Sequence, residues 1–128
     1  MKVEYIYHSG FTIDTDEYFL VFDYYMGEIP LEDKKTIVFV THKHQDHFNP
    51  VIFDWQKVNP NINYGLSSDL NIDEDENRFK MDPYEEVTID NIEIKSFGST
   101  DLGLSFLIKI DGKYIFYAGD LNWWHWAN

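Results

Sequence analysis

Cysteine is absent from the sequence. Its absence excludes a disulfide framework, a thiolate nucleophile and a thiolate zinc site, and it suits a reducing compartment. Any metal held by this chain must rest on nitrogen and oxygen ligands. Basic side chains are scarce, with 10 Lys and Arg against 23 Asp and Glu and a formal net charge of −13. A surface of that sign argues against nucleic acid or an anionic membrane as the main partner. No stretch holds eighteen consecutive apolar residues, and the opening "MKVEYIYHSG" lacks the continuous apolar segment of a signal peptide. The expectation is a soluble, cytoplasmic protein. Ser-x-x-Lys, the nucleophile elbow and the P-loop are also missing, so none of these catalytic devices is available.

Large apolar side chains are plentiful. The 128 residues are 44% hydrophobic and 18% aromatic, which suits one folded domain spanning 1–128 and not a disordered chain. The dominant rhythm is period two. "KVEYIYHSGFTID" and "EYFLVFDYY", separated by the turn "DTDE", predict an opening hairpin. "KKTIVFVTH" is continuously apolar, the pattern of a strand buried on both faces. In "NPVIFDWQKV", Asn49 as N-cap and Pro50 at the first helical position predict a short helix. "NINYGLS" reads as a strand, and "DLNIDEDENRFKMDPYEE" as an acidic, turn-rich surface segment without EF-hand spacing. "EVTIDNIEIKSF" predicts two strands about Asp90 and Asn91, and "LSFLIKIDGKYIFYAGD" two more about Asp111 and Gly112.

The chain has five histidines, and three of them lie in "THKHQDH" at the end of the buried strand. In extended backbone, positions i and i+2 point the same way, so His42 and His44 can aim two imidazoles at one point. Asp46 and His47 follow as a second carboxylate and imidazole pair, suited to a second metal on the order of 3.5 to 4 Å from the first. Without a metal, three clustered imidazoles would repel when protonated and be hard to satisfy when neutral. Such donors suit zinc, manganese or iron. Metal-activated water is then the one hydrolytic chemistry with a visible apparatus.

"THKHQDH" after a strand, "LVFD" ending at Asp23 and "YAGD" ending at Asp120 together resemble the metallo-β-lactamase-fold hydrolases. The resemblance implies an α/β fold, an αββα sandwich with one or two metals at the edge of its sheets. It implies that His42 and His44 hold the first metal, Asp46 and His47 the second, and that Asp120 bridges both. Asp46 would also hold the attacking water. Asp23 would brace the metal loop from behind. "YHSGF" resembles the opening of the lactonase-like subgroup, which would set His8 near the site, although His8 reads equally well as an ordinary surface or core histidine.

Two departures qualify the resemblance. Where the family supplies a third histidine to the first metal, this chain has "FGSTDLG"; Ser99 or Thr100 stands in that place, and Asp101 is a hard-oxygen substitute. Family members are also longer, with a second βα half that gives the second metal its last histidine. This sequence therefore corresponds to the N-terminal half of the fold, an incomplete sandwich. The ending "LNWWHWAN" carries three of the four tryptophans and predicts association, with a second copy or with a completing C-terminal half; an aromatic substrate wall is the other reading. His125 in that ending reads as an ordinary polar position or an improvised ligand. The implied function is metal-dependent hydrolysis of an ester, lactone, amide or phosphodiester bond in a small molecule. The alternative is a catalytically inactive metal-binding or dimerising half-domain.

Overall fold

The computed structural model describes residues 2–6, 10–27, 29, 34–42, 48–98 and 104–117. Strands β1 (Lys2–Tyr5), β2 (Phe11–Asp14) and β3 (Tyr18–Phe22) form an antiparallel meander, and β3 then pairs in parallel with β4 (Lys35–Val40). The parallel run continues through β5 (Asn63–Ser67) to β6 (Arg78–Met81), so the first sheet is mixed, in the order β1-β2-β3-β4-β5-β6. A second, antiparallel sheet holds β7 (Glu86–Ile89), β8 (Ile92–Gly98), β9 (Leu104–Ile110) and β10 (Lys113–Tyr117) in the order β10-β9-β8-β7. This strand-rich architecture is that of an incomplete αββα sandwich.

Burial explains which strands could be read from their composition. Leu20, Phe22, Ile37 and Phe39 of the first sheet meet Ile92, Ile94, Phe106 and Ile108 of the second in one apolar layer. Val21, Val38 and Val40 face the opposite way, into a second layer with Ile52, Ile62, Tyr64 and Leu66. β3 and β4 thus bury both faces, which requires their unbroken apolar runs. β8 alternates instead, with Ile92 and Ile94 inward and Glu93 and Lys95 exposed. Among the described residues, the outer face of the second sheet is solvated and laced by the exposed pairs Lys95–Glu86 and Lys109–Glu93. Exposed pairs of this kind contribute about 0.2–1 kcal/mol each.

The connection from β4 to β5 carries the predicted helix, Pro50–Lys57, in the 3-10 form. Asn49 caps it as expected, its Oδ1 accepting from the Val51 N–H at 3.0 Å while its Nδ2 donates to the Tyr25 carbonyl at 2.8 Å. The Tyr64 hydroxyl donates to the Ile52 carbonyl at 2.6 Å and ties this helix to β5; burial pushes the Tyr64 phenol pKa well above its ordinary value. The Asp111-Gly112 turn has φ of 53° and 74° at its two residues, the left-handed pair that a two-residue hairpin of this twist demands.

Two expectations need correction. "KVEYIYHSGFTID", read as one arm of the opening hairpin, forms two strands, β1 and β2, paired antiparallel. The acidic stretch read as a turn-rich surface segment contains β6, whose Arg78–Met81 backbone pairs in parallel with Tyr64–Ser67. Only Phe79 and Met81 in it are apolar, so its strand character comes from the neighbouring strand. The guanidinium of Arg78 also lies 4.2 Å from the centroid of the Phe53 ring.

Phe39 is wholly buried, stacked on Phe22 at 4.7 Å and 5.2 Å from Phe106 across the sandwich. Phe39→Ala is expected to lower the unfolding free energy by about 3–5 kcal/mol. Val58→Ala, at a position 74% exposed, is expected to stay within about 0.5 kcal/mol of the wild type. Urea titration of the three proteins checks both values.

Candidate metal centre

The strand ends of the first sheet bring Asp23 and His42 together. β3 stops at Phe22, and Asp23 then turns the chain with φ of 49°, a left-handed conformation that aspartate tolerates better than most residues. Its N–H donates to the Phe39 carbonyl at 2.8 Å, continuing the ladder between β3 and β4. The side chain is wholly buried and turned toward the end of β4. Oδ1 accepts from the Thr41 N–H at 2.7 Å, and Oδ2 accepts from the Thr41 hydroxyl at 2.7 Å and from the Tyr117 hydroxyl at 3.0 Å. A buried carboxylate is tolerated only when its lone pairs are met in this manner.

Thr41 transmits that arrangement to His42. The Thr41 Oγ1 lies 3.1 Å from His42 Nδ1. A hydroxyl has one proton, and here it goes to Asp23, so Thr41 can only accept from the imidazole. The network therefore assigns the Nδ1–H tautomer to neutral His42 and leaves the lone pair on Nε2. A carboxylate behind a ligating histidine sets tautomer and ring orientation in the same way. His42 is itself buried, 1% exposed, so its ring direction is set by packing as well.

Other segments converge on this point. The Leu104 N–H at the start of β9 donates to the Thr41 carbonyl at 2.7 Å, which holds the residue following the Ser99–Gly103 stretch against the end of β4. The Ile6 N–H donates to the Gly10 carbonyl at 2.9 Å, joining the chain on either side of residues 7–9. Gly10 has to be glycine, because a Cβ there would lie 2.5 Å from an Ile6 side-chain carbon and 3.0 Å from the Asp23 carbonyl oxygen. Beyond the histidine cluster, Phe48 packs on Phe53 with ring centroids 6.1 Å apart. The chain is thus anchored on both sides of residues 43–47.

Of the residues singled out from the sequence, Asp23 and His42 are described and are brought together through Thr41. His8, His44, Asp46, His47, Asp101, Asp120 and His125 lie outside the described residues, as do Ser99 and Thr100. Among the described residues no three potential ligands form a cluster. Thr41 and Tyr117 were not expected. Thr41 had a local signal, its place directly before His42; Tyr117 had none, since its partner lies 94 residues away.

A concavity of about 460 Å³ opens where β4 and β5 begin, at the other end of these strands. Its polar lining is largely self-satisfied: Lys35 pairs with Asp90 at 3.0 Å, and Asn77 Nδ2 donates to Asn63 Oδ1 at 3.3 Å. The Asp23–His42 pair lies at the end where β3 and β4 finish, the usual location of sites in sheets with parallel strands.

The chain belongs to the beta-lactamase superfamily, whose domain model matches residues 2–123. Its structure is similar to that of Igni18, a metallo hydrolase from the hyperthermophilic archaeon Ignicoccus hospitalis, with a TM-score of 0.68 and 20% identity, over 93% of this chain and 60% of that one. It is also similar to CmlA, a diiron beta-hydroxylase from Streptomyces venezuelae, with a TM-score of 0.59 and 13% identity over 93% of this chain and 29% of the other. A putative zinc-dependent hydrolase of the metallo-beta-lactamase superfamily from Thermotoga maritima gives a TM-score of 0.53 and 16% identity, over 93% and 48% of the two chains. No curated protein matches the chain. The chain spans about three-fifths of the length of Igni18. At these identities the structural likeness shows the fold alone. Among the described residues no helix is long and apolar enough to cross a membrane.

Thr41→Val is nearly isosteric but removes the hydroxyl that joins Asp23 to His42. It is expected to cost about 1–3 kcal/mol, the usual penalty for leaving buried polar groups unmatched. Thr41→Ser keeps the hydroxyl and should cost clearly less. Urea unfolding of the two variants beside the wild type checks the order.

Proposed function

We propose that this chain is the metal-bearing part of a metal-dependent hydrolase, corresponding over residues 1–128 to the N-terminal half of the sandwich. The observation that carries the reading is the relay from the Asp23 carboxylate through Thr41 to His42, which turns a buried imidazole into a lone-pair donor at the strand end. That donor fits a divalent metal, zinc in the first place and manganese or iron as alternatives. His42 and His44 would hold one ion, Asp46 and His47 a second, with Asp120 between them. Asp101 would complete the first set as an oxygen ligand, and His8 would lie close by.

When bound, the metal supplies a water acidified to a pKa of about 7 and polarises the bond to be cut. Asp46 would orient that water. Asp23 holds His42 in place and keeps its proton on Nδ1. The bond hydrolysed would be an ester, lactone, amide or phosphodiester in a small molecule. The cysteine-free sequence suits a reducing, cytoplasmic setting.

A second reading, an inactive metal-binding or dimerising half-domain, draws on two observations. The outer face of the second sheet exposes Tyr114 and Phe116, and the chain covers 60% of Igni18. The tryptophan-rich end would then join a second copy or a completing chain.

Elemental mass spectrometry of the purified, untagged chain and of the His42→Ala, His44→Ala double variant separates these readings. At least one equivalent of zinc, manganese or iron in the wild type, and none in the double variant, is the expected result. Metal retained equally by both proteins would contradict the proposed ligands. Bound metal without turnover on ester, lactone, amide and phosphodiester probes would favour the inactive reading.

A further inference from the structure

We propose that Tyr117 is a positioning residue that sets metal affinity through Asp23. The inference rests on the metal-site reading above and goes beyond the ligands themselves. Tyr117 ends β10 in the second sheet, and Asp23 ends β3 in the first, so their hydrogen bond at 3.0 Å joins the two sheets at the candidate site. The same strand leads, three residues later, to Asp120.

Packing alone does not require a phenol at this position. The Tyr117 ring lies 4.8 Å from the Phe22 ring and 6.0 Å from the Phe11 ring, contacts that phenylalanine would make equally well. What the hydroxyl adds is a second donor to Oδ2, the oxygen that also receives the Thr41 proton. With Oδ1 held by the Thr41 N–H and Oδ2 by two hydroxyls, the carboxylate cannot rotate about its bond to Cβ without breaking several bonds at once. Released from Tyr117, the carboxylate gains freedom to turn, and the Thr41 hydroxyl gains freedom to point its proton at His42 Nδ1 instead. That reversal would move the imidazole proton to Nε2, the nitrogen needed for the metal. The Tyr117 hydroxyl thus protects the ligating tautomer from a distance of three hydrogen bonds.

The test compares wild type, Tyr117→Phe and Phe11→Leu. Phe11→Leu loosens the packing of the Tyr117 ring and keeps its hydroxyl. Zinc affinity is measured by chelator competition, the cobalt absorption spectrum is recorded, and each metal-free protein is melted. Loss of an outer-shell partner weakens metal binding by about 10- to 100-fold, so Tyr117→Phe is expected to bind zinc about tenfold more weakly with the same type of cobalt spectrum and, having lost one donor to a buried carboxylate, to melt somewhat earlier when metal-free. Phe11→Leu is expected to melt earlier and to bind zinc like the wild type. Equal affinity for wild type and Tyr117→Phe, or equal weakening by both variants, would overturn the proposal. No zinc or cobalt binding by the wild type would instead overturn the metal-site reading, and this inference with it.

Discussion

One buried carboxylate organises the described part of this molecule. Asp23 lies where two sheets and two strand ends meet, and its oxygens collect an N–H and a hydroxyl from Thr41 and a hydroxyl from Tyr117. Each of these groups would be costly to bury without a partner, so their mutual satisfaction selects a single arrangement. Thr41 then aligns His42, and Tyr117 aligns the strand that precedes Asp120. A residue that touches no substrate in this account still decides where the site can form.

The sandwich supplies the setting. β3 and β4 run in parallel with both faces covered, so their C-terminal ends emerge side by side at one edge, with backbone groups the ladder no longer serves. A turning aspartate and a buried histidine at such an edge are well placed to serve chemistry, because the strands behind them are rigid and loops are free to vary. Several neighbours depend on the same edge: Gly10 passes close to the Asp23 carbonyl, Leu104 docks on Thr41, and Phe48 with Asn49 anchors the chain as it leaves the histidine cluster.

How much of this was legible in the sequence follows from the range of each interaction. β4 announced itself because a doubly buried strand must be apolar throughout, β3 because its aromatic and β-branched run follows a turn, and the β9–β10 hairpin because Asp111 and Gly112 are the residues its turn demands. Asn49 and Pro50 marked where the helix starts, but not that it would take the 3-10 form, which its cap residues do not encode. β6 was hidden, since Arg78 and Lys80 flank its apolar positions inside an acidic run and its partner strand supplies the pairing. At the site, Asp23 and His42 stood out through their local motifs. Thr41 carried only the weak signal of its place directly before His42, and the Tyr117 bond spans 94 positions, a distance at which one sequence carries no pairing signal.

The central claim is that Asp23, through Thr41, keeps the proton of His42 on Nδ1 and its lone pair on Nε2. Long-range proton–nitrogen correlation NMR on the histidine-labelled chain, recorded without and with zinc, tests it most directly. The account predicts an Nδ1-protonated His42 in the metal-free chain, with the Nε2 resonance the one displaced when zinc is added. A metal-free His42 protonated on Nε2, or an Nε2 resonance unmoved by zinc, would contradict it.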